Sequence, residues 1–125
     1  DMLHQSPFAM GVAHDTAKVF WVFDGWNNNI CKYDYNVDQS PGYDNHSAGK
    51  IWRYSDISVT RTIGVPSHMV LDKSSKWLYF VDGGTKTVKR LNTLTGTIVG
   101  NLTAPNEPLT LYKNVTGASQ QTIDT

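Results

Sequence analysis

Apolar residues in this chain come in short runs of β-branched and aromatic side chains, separated by Gly, Asn, Asp and Pro. Two runs are longer. Residues 19–23 and residues 77–81 each hold five large apolar side chains in succession, and each is followed by Asp and Gly. No stretch shows the spacing of apolar residues that is typical of an amphipathic helix. The pattern therefore predicts an all-β chain.

The two runs belong to an internal repeat. Residues 12–34 align without a gap on residues 70–92, so that Val12 falls on Val70 and Lys32 falls on Arg90. A long repeat of this kind is typical of architectures in which each unit buries its apolar surface against its neighbours. We therefore interpret the chain as two copies of one structural unit.

Each unit is predicted to contain four strands, here called a to d. In the first unit they are residues 8–13, 19–23, 30–35 and 49–54, and in the second unit residues 67–71, 77–81, 87–91 and 97–102. Strand b has no polar alternation in either unit, which predicts burial on both faces. A last apolar run, residues 108–112, is interpreted as the opening strand of a third unit.

Repeated units of four antiparallel strands, buried on both faces of their central strands, predict blades of a β-propeller. The first blade covers about residues 7–57 and the second about residues 65–103, and residues 104–125 form the start of a further blade or a tail. Because propellers usually close with about 4–8 blades, two blades give an incomplete ring. We expect the missing blades to come from the same precursor or from other chains.

The order of residues in each unit resembles the NHL-type blade. An aromatic strand ends in Asp-Gly and is followed by the pattern Ile/Val-x-Lys/Arg-x-Asp/Asn, at residues 30–34 and again at residues 88–92. The resemblance covers about residues 7–103. It implies a four-stranded blade in a propeller.

A weaker resemblance concerns Pro66-Ser67-His68-Met69-Val70, which is similar to strands of the peptidyl-hydroxyglycine amidating lyases. Those enzymes are NHL-like propellers in which histidines of such strands bind zinc in the central channel, and the resemblance implies a zinc-binding role for His68. Zinc usually takes three or four ligands, so the others would come from further blades. A histidine that bonds a backbone carbonyl in the channel wall is the alternative.

An insertion between strands c and d, residues 36–48, occurs only in the first unit. It gathers acidic and amide side chains around a Pro-Gly turn, and calcium takes six to eight oxygen ligands of these types. The candidate ligands for calcium or zinc in this insertion are Asp38, Asp44 and His46. A solvated acidic loop without a metal ion is the alternative.

Asp24 and Asp82 end strand b in the two units, and each is expected to cap its b–c hairpin as an Asx-type turn. A catalytic role repeated in every blade is not expected. The equivalent cations Lys32 and Arg90 are expected to pair with acidic or carbonyl groups on a neighbouring blade. At the first hairpin tip, Trp26 is interpreted as covering a neighbouring blade or as part of a sugar- or peptide-binding surface.

Three glycosylation sequons begin at Asn45, Asn101 and Asn114, which favours an extracellular or secreted glycoprotein. The single cysteine, Cys31, excludes a disulfide within the chain. Lys and Arg together number 11, as do Asp and Glu, so the balance of charge gives no reason to expect nucleic acid as a partner. No apolar run approaches the roughly 20 residues that cross a membrane as a helix.

No sequence motif for nucleophilic catalysis, phosphate binding or a metalloprotease is present. The sequence therefore predicts an extracellular β-propeller segment that serves as a structural or protein- or glycan-binding module. One alternative is part of a metal-dependent propeller enzyme of the amidating-lyase type. Another is a short subunit that assembles into a ring or filament.

Overall fold

The computed structural model describes residues 4–38, 41–42, 47–105 and 107–125. These residues form ten β-strands and no helix, which confirms the all-β prediction. The described ranges thus hold no helix long and apolar enough to span a membrane. The strands are β1 (Ala9–His14), β2 (Val19–Asp24), β3 (Asn29–Asp34), β4 (Lys50–Tyr54), β5 (Met69–Leu71), β6 (Trp77–Asp82), β7 (Thr87–Asn92), β8 (Thr97–Asn101), β9 (Leu111–Thr116) and β10 (Gln120–Asp124).

The strands form two sheets. The first sheet has six strands in the order β1-β2-β3-β4-β9-β8, and the second has four in the order β10-β7-β6-β5. All neighbours pair antiparallel except β4 and β9, which are parallel. Strands β1 to β4 are the four predicted strands of the first unit in sequence order. Two sheets that do not close into a barrel are consistent with an incomplete arrangement of blades.

The b–c hairpins show that the repeat extends to the backbone. Strands β2 and β3 are joined by residues 25–28, and strands β6 and β7 are joined by residues 83–86. The last residue of each loop has a positive φ, 59° at Asn28 and 58° at Lys86. Asn tolerates this conformation well and Lys does so less readily. The shared geometry therefore follows from the loop length and not from one residue type.

The main core lies between the two sheets. Trp21, Phe23 and Ile30 of the first sheet belong to the same buried cluster as Leu78 and Phe80 of the second. The rings of Phe23 and Phe80 meet edge to face with centroids 6.5 Å apart. Each buried side chain of this size stabilises the fold by about 1.5–3 kcal/mol. This packing is what holds the two sheets together.

The other face of the first sheet is also covered. Val22, Cys31, Tyr33 and Ile51 are buried in a second cluster, against which Ala9, Leu109 and Tyr112 pack. Because β2 is covered on both sides, Trp21, Val22 and Phe23 are buried in succession with exposures of 0–1%. The prediction of two-sided burial is confirmed for strand b of the first unit.

The same prediction is wrong for strand b of the second unit. Along β6 the buried residues alternate, because Leu78 and Phe80 are buried while Tyr79 is half-buried and Val81 is 40% exposed. The physical reason is that only one face of the second sheet lies against another sheet. The opposite face of β6 is open to solvent.

The predicted place of strand d in the second unit is wrong as well. Residues Thr97–Asn101 do form a strand, β8, but it pairs with β9 on the first sheet. The edge of β7 is instead occupied by β10. The run at residues 108–112, expected to open a third unit, leads into β9, which pairs with β4. This pairing satisfies the backbone groups that β4 would otherwise expose at a sheet edge.

Candidate functional site

The candidate site is the solvent-facing side of the second sheet. Strand alternation places Val70, Tyr79, Val81, Val88 and Arg90 on the side opposite to the buried Leu78 and Phe80, and these five residues are called here the outer face. Val70 is 61% exposed. A shallow groove of about 260 Å³ runs over this surface, and residues of the outer face line it together with His68, Met69 and Phe80.

The outer face corresponds to a surface of the first sheet that is covered. By the alignment of the repeat, Tyr79 corresponds to Trp21, Val81 to Phe23 and Val88 to Ile30. The three first-sheet residues have exposures of 0–1% because the second sheet packs on them. The second sheet therefore presents to solvent the same side of the repeat unit that the first sheet uses to hold a neighbouring sheet.

Arg90 lies at one side of the outer face in a stacked arrangement. Its guanidinium group is 4.1 Å from the centroid of the Trp77 ring. Its Nε and Nη2 atoms donate to Oε1 of Gln121 on β10, at 2.8 and 2.6 Å. The amide oxygen of Gln121 is a carbonyl partner, as expected, but β10 belongs to the same sheet as Arg90 and not to a neighbouring sheet.

Lys32, the counterpart of Arg90, also stacks on aromatic rings. Its Nζ lies 4.4 Å from the centroid of Trp52 and 5.7 Å from that of Trp21. Burial lowers the pKa of Lys32 below its usual value. Cation–π contact with tryptophan is favourable where a cation is partly desolvated. Both of the equivalent cations therefore stack on a tryptophan of their own sheet.

Asp24 and Asp82 are fully buried at the ends of strand b. Oδ1 of Asp24 accepts hydrogen bonds from the backbone N–H groups of Trp26 and Asn27, at 2.9 and 3.0 Å, which is the geometry of an Asx turn. Oδ1 of Asp82 accepts from the N–H of Thr60 at 3.0 Å and more distantly from that of Thr85 at 3.4 Å. Asp82 thus also fixes Thr60, which lies in the segment between β4 and β5.

Arg53, on β4, was not singled out from the sequence although it is the centre of a buried polar network. Its Nη1 donates to Oδ2 of Asp24 at 2.6 Å and to Oδ1 of Asn29 at 2.7 Å. Its Nη2 donates to the carbonyl of Gln5, and its Nε to the hydroxyl of Tyr112. The available signal was a cation between Trp52 and Tyr54 in a strand. The network joins segments distant in sequence and is structural.

The second unit builds a different ion pair around its aspartate. Nζ of Lys89 lies 2.9 Å from Oδ2 of Asp82. Burial acts to raise the pKa of Asp82, but the hydrogen bond from Lys89, with that from the Thr60 N–H, holds it below its usual value. Lys89 stands where the first unit has Cys31. The cation therefore comes from strand c here and from strand d in the first unit.

The candidate metal ligands do not come together in the described ranges. His68 is exposed beside the groove. Asp38 is exposed, with its carboxylate 3.4 Å from Nζ of Lys18. Asp44 and His46 lie outside the described residues. Among the residues that are described, no group of three His, Cys, Asp or Glu side chains could hold a metal ion. Zinc or calcium binding stays a prediction.

The three sequons differ in their surroundings. Asn101 is exposed on β8, and its Oδ1 accepts a hydrogen bond from Nζ of Lys113. Asn114 is half-buried on β9, between β4 and β8, with its Oδ1 enclosed and without a hydrogen-bond partner in the described part of the chain. Asn45 lies outside the described residues. Glycosylation stays a prediction, and exposure favours Asn101 over Asn114.

Trp26, at the first hairpin tip, is 60% exposed. Its ring packs on Phe8, with centroids 5.4 Å apart, and the guanidinium group of Arg61 covers Phe8 at 4.1 Å. Trp26 thus contacts the chain just before β1, and most of its surface remains in solvent. Its interpretation as a ligand-binding side chain stays a prediction.

Cys31 is expected to be inert in the folded chain. Its side chain is fully buried, and burial raises the pKa of its thiol to about 12. Because the thiolate is the reactive form, a disulfide reagent at pH 8 should modify Cys31 only through unfolding. The rate of modification, followed by absorbance, should therefore rise with urea concentration. Reaction of the native chain as fast as that of the unfolded chain would contradict the buried position.

The chain matches no protein-family model, and comparison with curated proteins and with solved structures also gave no match. Its function is therefore inferred from its residues and their geometry.

Proposed function

We propose that this chain is a non-catalytic, protein-binding module of the propeller type. Its two sheets act as successive blades, and the outer face of the second sheet receives a further β-sheet, from the same precursor or from another chain. The observation that carries this proposal is the correspondence of Tyr79, Val81 and Val88 with three first-sheet residues that are already covered by a sheet.

The chemistry of the outer face supports a protein partner. Val70, Val81 and Val88 are aliphatic, and contiguous apolar side chains on a surface mark contact sites between proteins. Tyr79 and Arg90 add residue types that are enriched in protein interfaces. The groove is shallow and open to solvent, which suits a packed sheet better than an enclosed small substrate.

The outer face could be covered by a second copy of this chain or by a sheet of different sequence, and the first sheet bears on the choice. In a second copy, the side of the first sheet that is equivalent to the core-facing side of the second sheet carries Val22, Cys31 and Tyr33. The chain itself already buries that side, so it cannot cover the outer face of another copy. Copies of this chain can therefore associate only by other surfaces, such as two outer faces together. A further blade of different sequence has no such restriction. The proposal favours this second partner.

The same proposal places the chain outside the cell. A glycan on Asn101 would project from β8, a strand of the first sheet, and not from the second sheet that carries the outer face. Glycosylation and protein binding are thus compatible while β8 pairs with β9 on the first sheet. His68 remains the basis of the alternative, a metal-dependent propeller enzyme, but it belongs to no group of three metal-binding side chains in the described ranges.

The test introduces charge into the outer face. The double variant Val70→Lys, Val81→Lys should abolish binding of the hydrophobic dye anilinonaphthalene sulfonate, because both residues are exposed there. The matched control Ile63→Lys, Leu94→Lys adds the same charge at two exposed apolar residues outside the outer face and should keep dye binding. Dye fluorescence is compared at equal protein concentration, and circular dichroism checks that each variant is folded.

The original chain should bind the dye, and sedimentation velocity shows whether two outer faces also associate at high concentration. Failure of the original chain to bind the dye would overturn the proposal. Equal binding by the outer-face variant would also overturn it, since the apolar surface would then lie elsewhere.

A further inference from the structure

Two strands, β8 and β10, pair with partners that their short connections do not favour. Residues 93–96 join β7 to β8, and residues 117–119 join β9 to β10. Loops of three or four residues normally close hairpins, as residues 25–28 do between β2 and β3. Yet β8 leaves β7 to pair with β9, and β10 leaves β9 to pair with β7.

Both strands are held weakly where they lie. All five residues of β8 are exposed, and so are all five of β10. The pairing of β8 breaks register between Ile98 and Gly100, and that of β10 breaks register between Thr122 and Asp124. Neither strand buries a large apolar side chain. Little apolar burial would be lost if either strand changed partners.

The repeat gives β8 another position. Gly96-Thr97-Ile98-Val99 has the same pattern as Gly49-Lys50-Ile51-Trp52, which leads into β4, strand d of the first unit. On β4, Ile51 pairs with Tyr33 and is 2% exposed. In the second unit, the same register sets Ile98 opposite Leu91.

The exchanged position suits the core better at this point. Gln120 of β10 is now the partner of Leu91, a fully buried residue of the main core. Ile98 is an apolar side chain that is 52% exposed on β8. Placing Ile98 beside Leu91 would bring an apolar side chain against the main core at a position that the polar and exposed Gln120 holds now.

Specific hydrogen bonds hold β10 in the described arrangement. Arg90 donates twice to Gln121, as stated above. The N–H of Gly117 donates to Oδ2 of Asp56 at 2.8 Å, and the N–H of Ser119 donates to Oγ1 of Thr95 at 2.8 Å. These bonds are exposed to water, and each therefore contributes modestly to stability. They oppose the contact with Leu91 that Ile98 would gain in the exchanged arrangement.

We propose that β8 and β10 exchange edges. In the exchanged arrangement β8 pairs with β7 and β10 pairs with β9, so that both short connections close hairpins and no sheet loses an edge strand. The second sheet then has its four strands β5, β6, β7 and β8 in sequence order. The exchange does not rest on the proposed function. Because Val99 would lie opposite Arg90, a partner on the outer face would favour the exchanged arrangement when Asn101, which would then lie opposite Val88, carries no glycan; this consequence alone rests on the proposed function.

Cysteine pairs distinguish the two arrangements. In a Cys31→Ala background, which removes the only native cysteine, Val88→Cys is combined with Asn101→Cys or with Asp124→Cys. The register of β4 sets Asn101 opposite Val88 in the exchanged arrangement, whereas Asp124 is the present partner of Val88. Residues directly opposite in antiparallel strands have Cα separations that a disulfide can bridge.

The control variant combines Val88→Cys with Val99→Cys, which is closer in sequence but two residues out of the exchanged register. All three variants are oxidised in a glutathione buffer under native conditions, and the disulfides are quantified by mass spectrometry. We expect the 88–101 disulfide to form at least tenfold faster than the 88–99 disulfide. Formation of the 88–124 disulfide, with the 88–101 disulfide no faster than the control, would overturn the exchange.

If the cysteine variants do not fold, amide hydrogen exchange on the unmodified chain decides. The β8 and β10 amides that are bonded to β9 and β7 should exchange at similar rates and at least tenfold faster than the amides between β6 and β7. Protection of these edge amides equal to that of the β6–β7 ladder would overturn the proposal, since an exchange of edges has to open both.

Discussion

Replacing Arg53 with Ala is expected to lower the free energy of unfolding by about 3–5 kcal/mol. The variant leaves the carboxylate of Asp24 at 0% exposure without its cation, and it also removes the donor to Asn29. An unpaired buried charge is far more costly than the loss of an exposed ion pair. Urea denaturation, followed by tryptophan fluorescence, measures the change.

The control for this prediction is Lys18→Ala, which removes the ion pair with Asp38. That carboxylate is 93% exposed, and exposed pairs contribute about 0–1 kcal/mol. A second variant, Arg53→Met with Asp24→Asn, removes both charges and keeps a side-chain oxygen to accept from Trp26. It should recover part of the lost stability. Equal effects of Arg53→Ala and Lys18→Ala would show that the buried network does not hold the fold together.

The pairing of β1 to β4 was predictable from sequence because these strands are neighbours along the chain. The apolar run at residues 19–23, followed by Asp24 and a loop that tolerates positive φ, fixes both a strand and its hairpin through local interactions. The repeat then assigns the same hairpin to residues 77–92. The observed pairing of β2 with β3 and of β6 with β7 follows these local signals.

The pairing of the later strands could not be predicted in the same way. Ile98 and Val99 can form a strand beside β7 or beside β9, and their apolar character does not determine which of these edges they join. The parallel pairing of β9 with β4 joins residues about 60 positions apart, at Ile51 and Tyr112, and no local pattern encodes such a contact. Sequence thus predicted a strand at or near each of β1 to β9 but none at β10, and it did not predict how the last three strands pair.

For the candidate site as well, the sequence alone did not determine how the side chains pack. The run at residues 77–81 is built for burial on two faces, but burial depends on whether a second sheet is present, and here Val81 is exposed. Lys32 and Arg90 were recognised as equivalent cations, whereas their stacking on Trp52 and Trp77 depends on which aromatic rings the fold brings beside them. The sequence identified these two cations as equivalent, and the packing decided their partners.

Replacing Gly11 with Ala is expected to lower the free energy of unfolding by about 3 kcal/mol, at the upper end of the usual effect of overpacking. A Cβ atom at Gly11 would overlap the backbone carbonyl oxygen of Ser67 and would also press on Cγ of Met69 at 3.1 Å. The carbonyl cannot retreat easily, because the N–H of Ser67 donates to the carbonyl of Met10 at 2.9 Å. The change therefore forces apart β1 and the segment leading into β5.

Gly100→Ala is the matched control, since no atom lies within 4 Å of the Cβ it would add. Its effect on urea denaturation should be within about 0.5 kcal/mol of zero, as for most surface substitutions. If Gly11→Ala is equally mild, β1 and the segment leading into β5 are not in close contact, and the packing of the two sheets at this point fails with it. A large loss of stability in Gly11→Ala alone would instead show that β1 packs closely on the segment leading into β5, and that this contact fixes the second unit to the first.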